Sequence, residues 1–527
     1  MLKRFISMLI LSFILLCGCG PAQTIKPGDL VLAIGGESAE GYDPTMGWGR
    51  YGHPLFHSTL LKLDENLNTI NDLAVSHTVS NGGLVWTVRI RDNVLFSNGD
   101  PLTADDVAYT YNTAAQSGGK ADLAMLKEAA AVGPNRIRFT LKYPYIGFIG
   151  KLRTLGIVPA NIHRTGRNYA RNPVGSGPYK FVSWTEGQQL IVEANPYYYG
   201  MKPSIKRMIF LFMDEDTSFA AAKAGRVHVV ALPPILGKQK IPGMTVHPVR
   251  SVDNRGIMFP CVPDTGKKTP EGYSIGNNVT SDIAIRKAIN YTVDRRLLAA
   301  TVLEGFGEPA WGIVDNLPWD EPSIRIKDND PATARKILKD GGWVDTDGDG
   351  IVEKNGTRAE FTLLYYSNDS VRQNLSLACA DMGKKIGIKI NVAGKSSDEI
   401  LRLNHSCAVL YGYGSHSPEE MYNLFHGKFA GIEQLNAGFY RNPTVDRYLD
   451  KAMSSSTVEE SNRYWKLAQW DGKTGMSVRG DAAWAWLVNL THVYFISDTL
   501  DVGASMIEPH GHGWPITANI EKWRFTK

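Results

Sequence analysis

Cysteine is scarce: the 527 residues hold five, at positions 17, 19, 261, 379 and 407. Two of these fall in the first twenty residues, so Cys261, Cys379 and Cys407 can supply at most one disulfide, and a small disulfide-stapled scaffold is excluded. A Cys379–Cys407 bridge is the pairing expected if one forms. Beyond residue 20 no stretch reaches the ~18 uncharged apolar residues of a membrane-spanning helix, so the membrane is expected to touch only the N-terminus. Charge of one sign is not in excess either. The 57 Lys and Arg face 53 Asp and Glu, interspersed along the chain, which argues against nucleic acid as a partner. His-Glu-x-x-His, Gly-x-Ser-x-Gly, Walker and strand-linked Gly-x-Gly-x-x-Gly motifs are all missing, so no enzyme is expected. A zinc hydrolase built on His510 and His512 would want a third ligand and a base, and Glu508 is the only carboxylate close by.

What is present begins with a secretory signal over residues 1–18. Lys3 and Arg4 precede an apolar run from Phe5 to Leu16, too short to span a bilayer. The following Leu16-Cys17-Gly18-Cys19 resembles a bacterial lipobox, which implies cleavage before Cys19 and acylation of that residue. Residues 19–27 then read as a polar tether, and the protein is expected on the periplasmic or extracellular face of the membrane. Without the signal the net charge falls from +4 to +2.

The chain is longer than one core usually supports, so two domains are expected. Leu30 to Ile34 begins a strand. Leu84 to Leu95 alternates, with Trp86, Val88 and Ile90 on one side, as a half-buried strand does. Thr103 with Asp106 three residues on forms a capping box for a helix whose Val107, Ala108 and Tyr111 face inward. Ser281 or Asp282 caps a second helix with Ile285, Ile289 and Val293 on one stripe. Between Asp253 and Asn278 the periodicity fails and Pro and Gly accumulate, which marks a crossover between domains. Strands alternate with helical stretches in both halves, so the fold class is α/β.

Four ordered blocks resemble the large peptide- and nickel-binding family of extracellular solute-binding proteins, family 5, that serve ATP-driven importers. They are WTVRIRDNVLFSNGDPLTADDVAYTY at Trp86–Tyr111, NPVGSGPYKFVSW at Asn172–Trp184, EANPYYYGMKP at Glu193–Pro203 and IRKAINYTVDR at Ile285–Arg295. The resemblance implies a two-lobed periplasmic-binding-protein fold of the large, three-subdomain type with a hinge between the lobes. Lobe I would cover residues 28–265 with its extra subdomain, lobe II residues 266–495, and residues 496–527 would return to lobe I. It also implies cognate permease and ATPase subunits as partners and a monomer closing on a small ligand. By themselves the glycines and prolines of NPVGSGPY read as scaffold that fixes a tight backbone path.

Further stretches resemble the subgroup that binds nickel or another transition metal carried by a small chelator: Arg50–Asp64, Asp253–Pro260, Gly412–His426, Gly480–Phe495 and the His-Gly-His-Gly-Trp run within Glu508–Trp523. Imidazole is a common ligand for late first-row divalent ions, and the glycines flanking His512 let the backbone bring it close to cargo. His512 is the first candidate, with His510 beside it, His53 from the opposite end of the chain and His416 in reserve. His57 is expected to pack. A chelate carries carboxylates, and the resemblance gives Arg153 the role of clamping them, with Arg255 as a second cation. Tyr413 and Trp514 are candidate aromatic walls. The metal would be nickel held as cargo, with histidine or an opine-like metallophore as chelator; an oligopeptide or other amino-acid-like solute is the alternative. DTDGDGIVEKNG at Asp345–Gly356 spaces its first carboxylates as an EF-hand does but has Gly356 where the bidentate Glu belongs, so it reads as a hairpin turn or an adventitious calcium site.

Overall fold

The computed structural model describes residues 26–52, 55–119, 122–166, 168–432, 434–511 and 514–526. One mixed sheet of eleven strands runs through both lobes. In chain order its strands are β1 (Leu30–Ala33), β2 (Tyr179–Thr185), β3 (Gln189–Ala194), β4 (Arg207–Leu211), β5 (Val229–Leu232), β6 (Met244–Met258), β7 (Gly307–Pro309), β8 (Glu360–Tyr366), β9 (Lys389–Lys395), β10 (Ala408–Tyr413) and β11 (Trp484–Ser497). Their spatial order is β9-β8-β10-β6-β11-β5-β1-β4-β3-β2, with β7 also on β11.

Strand β1 shows why the interior strands read as unbroken apolar runs. Leu30 and Leu32 enter one core cluster while Val31 and Ala33 enter another, on opposite faces of the sheet. Full burial of each Leu or Val is worth roughly 1.5–3 kcal/mol, and a slip of one residue would exchange the two sets. Strand β10 behaves likewise in the other lobe: Ala408 and Leu410 face one cluster, Val409 and Tyr411 the other.

The two long strands β6 and β11 carry the connection. They pair from Met244↔Ser497 to Arg250↔Thr491, then again from Asn254↔Asn489 to Met258↔Trp484. Between these ladders Ser251, Val252 and Asp253 oppose the single Leu490, a bulge that frees the backbone and bends the sheet. The ladder before the bulge belongs to the half-sheet of β5 and β1, and the ladder after it to the half-sheet of β10 and β8. Strand β6 continues past the bulge to Met258, so the irregular stretch begins six residues later than the sequence pattern predicts, at Phe259. Glu508 fills the gap: its N–H donates to the Arg250 carbonyl at 2.9 Å, and Val252 N–H donates to the Glu508 carbonyl at 2.8 Å.

A four-stranded antiparallel sheet (Ala74–Ser80, Val85–Ile90, Arg136–Leu141, Leu126–Gly133) forms the extra unit of the first lobe, packed against helix α1 (Ala104–Gln116). The Thr103–Asp106 capping box is formed, and Trp86, Val88 and Ile90 are buried. Helices α2 (Phe148–Thr154), α3 (Ile283–Thr292), α4 (Ser370–Lys384) and α5 (Glu419–Phe425) complete the elements that matter below. Asp282 caps α3, its carboxylate accepting from Ala284 N–H, and Ile285 and Ile289 are buried.

The expected Cys379–Cys407 bridge is not formed, and all three described cysteines are free. Cys379 lies on the buried face of α4 in one core cluster, while Cys407, just before β10, packs against the cluster on the other face of the half-sheet. Among the described residues no helix is long and apolar enough to cross a membrane.

The scaffold role of NPVGSGPY has a steric origin. A Cβ on Gly175 would sit 2.0 Å from the Phe56 carbonyl oxygen and one on Gly177 2.5 Å from that of Leu55. Gly175→Ala and Gly177→Ala are therefore expected to lower stability by ~1–3 kcal/mol in urea unfolding. Gly133→Ala, whose Cβ would meet nothing nearer than 3.9 Å, should unfold with the wild type.

Candidate functional site

Between the lobes lies a cavity of about 140 Å³. The first lobe lines it with Arg50, Tyr51, Lys151 and Arg153, and the second with Ser415, His416, Ser417 and Glu419. Helix α2 sets the first-lobe cations. Phe148 and Leu152 bury its inner face, which turns Lys151 and Arg153 toward the cleft. The loop after β10 supplies the opposing groups. Lys151 Nζ meets Glu419 Oε2 at 2.5 Å across the cleft, and Arg153 Nη2 reaches the His416 carbonyl at 3.5 Å. Burial opposes the charge on both groups, and the 2.5 Å contact offsets that cost by giving each charge its counter-ion. Burial pulls Arg153 down as well, and the long contacts of Arg153 to His416 and Thr69 leave its fork room to take an anion.

Beside this cavity, in the bulge of β6, sits a buried polar cluster. Asp253 is 2 % exposed, and its Oδ1 accepts from Arg255 Nη1 at 2.6 Å and from His510 Nδ1 at 2.6 Å. Its Oδ2 lies 3.2 Å from His492 Nε2, while His492 Nδ1 contacts Glu508 Oε2 at 2.5 Å. Tyr494 donates its hydroxyl to the same Glu508 oxygen at 2.9 Å. Burial opposes the charge on Asp253, but Arg255, His510 and His492 outweigh it and hold the carboxyl well below its ordinary range. Burial likewise opposes a charged His492, and its two carboxylate partners overcome that to push it up to about 9. For His510 burial prevails over Asp253, and its pKa is lowered. Glu420 is pushed up to about 8 by burial, with Asp253 adding to the effect.

Of the candidates from sequence, Arg153 and His416 line the cavity. His510 is one step away: its ring centre lies 6.4 Å from that of Tyr51, which does line it. His57 is buried with its Nε2 2.9 Å from the Tyr169 hydroxyl, and it also lines the cavity. Arg255 does not line the cavity but is consumed in the Asp253 ion pair. Tyr413 is directed inward, its hydroxyl donating to the Gln434 carbonyl at 2.9 Å and its ring edge-on to Trp484. Trp514 is corrected from cleft wall to core: it is 2 % exposed, stacks on Phe210 at 4.5 Å and donates from its indole to the Gly36 carbonyl. That packing holds its backbone at φ 57°, a left-handed conformation unusual for an aromatic residue. His53, His512 and the lipidation residue Cys19 lie outside the described residues.

Sequence reasoning missed Lys151, Glu419, Asp253 and His492 as site residues. A histidine inside the apolar run of β11 was the one local signal for His492. In the acidic turn, carboxylate oxygens of Asp345, Asp347, Asp349 and Glu353 lie within 4.8 Å of one another; Glu353 enters from the hairpin strand, and Asp345 accepts from Gly348 and Gly350 N–H as a turn residue does.

A family model for bacterial extracellular solute-binding proteins, family 5, covers residues 68–431. The chain belongs to that family. It is 32 % identical over 482 residues to protein XP55 of Streptomyces lividans, covering 88 % of this chain and 84 % of that protein. It is 27 % identical over 443 residues to the oligopeptide-binding protein AppA of Bacillus subtilis, covering 79 % of each. Among solved structures, NikZ of Campylobacter jejuni in complex with Ni(L-His) superposes with a TM-score of 0.82 at 24 % identity, covering 95 % of this chain and 100 % of that one. AppA of Bacillus subtilis in complex with a nonapeptide gives 0.76 at 24 %, covering 95 % and 99 %. The α/β, two-lobed fold is thus that of family 5 solute-binding proteins, components of ATP-driven importers.

The polar cluster makes stability depend on pH from two sides. His492, with its folded pKa raised from 6.5 to about 9, contributes stability that is complete below about 6.5 and lost as pH climbs toward about 9. Asp253, with a depressed pKa, contributes stability that is present above its ordinary 3.8 and lost as pH falls below it. Thermal unfolding midpoints should fall on both sides of this window, and His492→Asn should flatten the alkaline side and, by removing one partner of Asp253, lessen the acid side to a smaller degree.

Proposed function

We propose that this solute-binding protein captures a chelated transition metal, nickel with histidine or an opine-like metallophore, by closure of its lobes and delivers it to a permease. The N-terminal sequence further supports a lipid anchor at Cys19, which would keep the protein at the outer face of the membrane.

The observation that carries the metal reading is the setting of His510. An ionised Asp253 can only accept, so His510 Nδ1 bears the proton and Nε2 is the nitrogen with a lone pair. A carboxylate behind an imidazole fixes the tautomer and ring orientation and raises ligand basicity, the arrangement that supports metal-bound histidines. His416, across the cleft, and Arg153, for the chelator's carboxylates, add groups of the required chemistry. The fold likeness to NikZ with its Ni(L-His) is in keeping with this assignment.

A peptide or amino-acid-like cargo is the second reading, favoured by the sequence relationship to an oligopeptide-binding protein and by Glu419 in the cavity wall, a partner for an amino terminus. Isothermal titration of metal-stripped protein with nickel, nickel plus L-histidine and mixed peptides separates the two. Heat from nickel with histidine, and little from peptides, is expected. Tight peptide binding with no response to nickel–histidine would transfer the assignment to peptides. Arg153→Met should weaken binding of the cargo tenfold or more, the ~1.5–3 kcal/mol of a charge-assisted hydrogen bond, with the unfolding midpoint little changed.

A further inference from the structure

Lys151 on α2 and Glu419 on α5, 268 positions apart, form a direct ion pair. Lys151 and Glu419 are each only 15 % exposed along their side chains, and both line the cavity in which the proposed cargo would sit. Two other atoms at the same place lack a hydrogen-bond partner among the described residues, namely Glu419 Oε1 and Arg153 Nε. The cleft therefore holds cationic groups from the first lobe and an anionic group from the second, in contact and incompletely satisfied.

Each charge is costly without the other. Removing one partner of a buried pair leaves the remaining charge uncompensated, whereas exchanging the whole pair for other well-matched groups is close to neutral in free energy. A ligand that brings its own anion and its own cation can make that exchange. A ligand with only one of them leaves Lys151 or Glu419 buried and unpaired.

We propose that Lys151 and Glu419 are a specificity-determining pair that holds the empty cleft shut and stands in for a ligand with a carboxylate at one end and a positive centre at the other. The carboxylate takes the place of Glu419 on Lys151 and Arg153. The positive centre, an ammonium or a chelated metal ion, takes the place of Lys151 on Glu419. The inference rests on the reading that this cavity holds the cargo, and it names the ligand class as zwitterionic and amino-acid-like. It also gives the protein a way to reject plain anions and plain cations of similar size.

Two measurements on the full chain test it, one of which needs no ligand. Small-angle scattering of unliganded protein should show Lys151→Met and Glu419→Gln with a larger radius of gyration than wild type, since each leaves a lone charge in the closed cleft. The double variant Lys151→Met/Glu419→Met should return to the compact value. Equal radii for the wild type and both single variants would overturn the proposal. Titration then uses nickel–L-histidine and tetra-alanine, each also with its amino group acetylated. The reversed pair, Lys151→Glu/Glu419→Lys, is expected to stay compact yet bind whichever probe the wild type binds at least tenfold more weakly; wild-type affinity in that variant overturns the recognition role. If the reversed pair does not fold, Glu419→Gln decides: it should lose the tenfold or greater preference for the free amine, and a preference that persists refutes the assignment. If the wild type binds no probe, the cargo reading and the recognition role fall together, while the scattering result still stands for or against the latch.

Discussion

Asp253 occupies the bulge where β6 passes from one half-sheet to the other, and its buried carboxylate gathers Arg255, His492 and His510 around it. Those partners come from β6 itself, from β11 and from the C-terminal segment. An ionised carboxylate at this depth survives only because cationic and N–H donors surround it, and the donors stay in place only because the carboxylate is there. The bulge is thus both the break between the two half-sheets and a buried polar point of the interior. The Glu508 backbone fills the ladder hydrogen bonds that the bulge leaves open, and its side chain holds the far nitrogen of His492.

This arrangement ties binding chemistry to the hinge. His510 hangs on the carboxylate that sits at the strand break, and its main-chain N–H donates to the Gly414 carbonyl of the second lobe at 2.7 Å. A shift of one half-sheet relative to the other therefore moves the imidazole as well as the pocket walls. In the proposed function, closure and ligand capture would therefore share the same atoms. Across the cleft the Lys151–Glu419 contact applies the same logic with charges: groups that would otherwise be stranded in a low-dielectric space neutralise each other.

The sequence was read correctly wherever the cause of a structure is local. The Thr103–Asp106 box, the Asp282 cap and the alternation around Trp86 depend on residues two to four apart, and all are present. The four ordered blocks led to the right family because they encode backbone paths, as the contacts at Gly175 and Gly177 show. Errors arose where a side chain's direction depends on a distant partner. Trp514 follows a histidine- and glycine-rich run and was assigned to the cleft, but a pocket formed by Phe210, Trp48 and the Gly36 carbonyl draws it inward. Arg255, a candidate ligand cation by residue type, is paired with Asp253 two residues away.

By itself, then, the sequence determined the α/β class, the family and the residue types available for recognition, because short-range periodicity, capping and glycine placement are written in neighbouring positions. Only the tertiary structure decided which of those residues meet: Lys151 with Glu419, His510 with Asp253, His492 with Glu508. Such pairings carry no spacing rule, since they arise where two half-sheets and a returning C-terminal segment converge, and burial rather than sequence distance sets the strength of each charge.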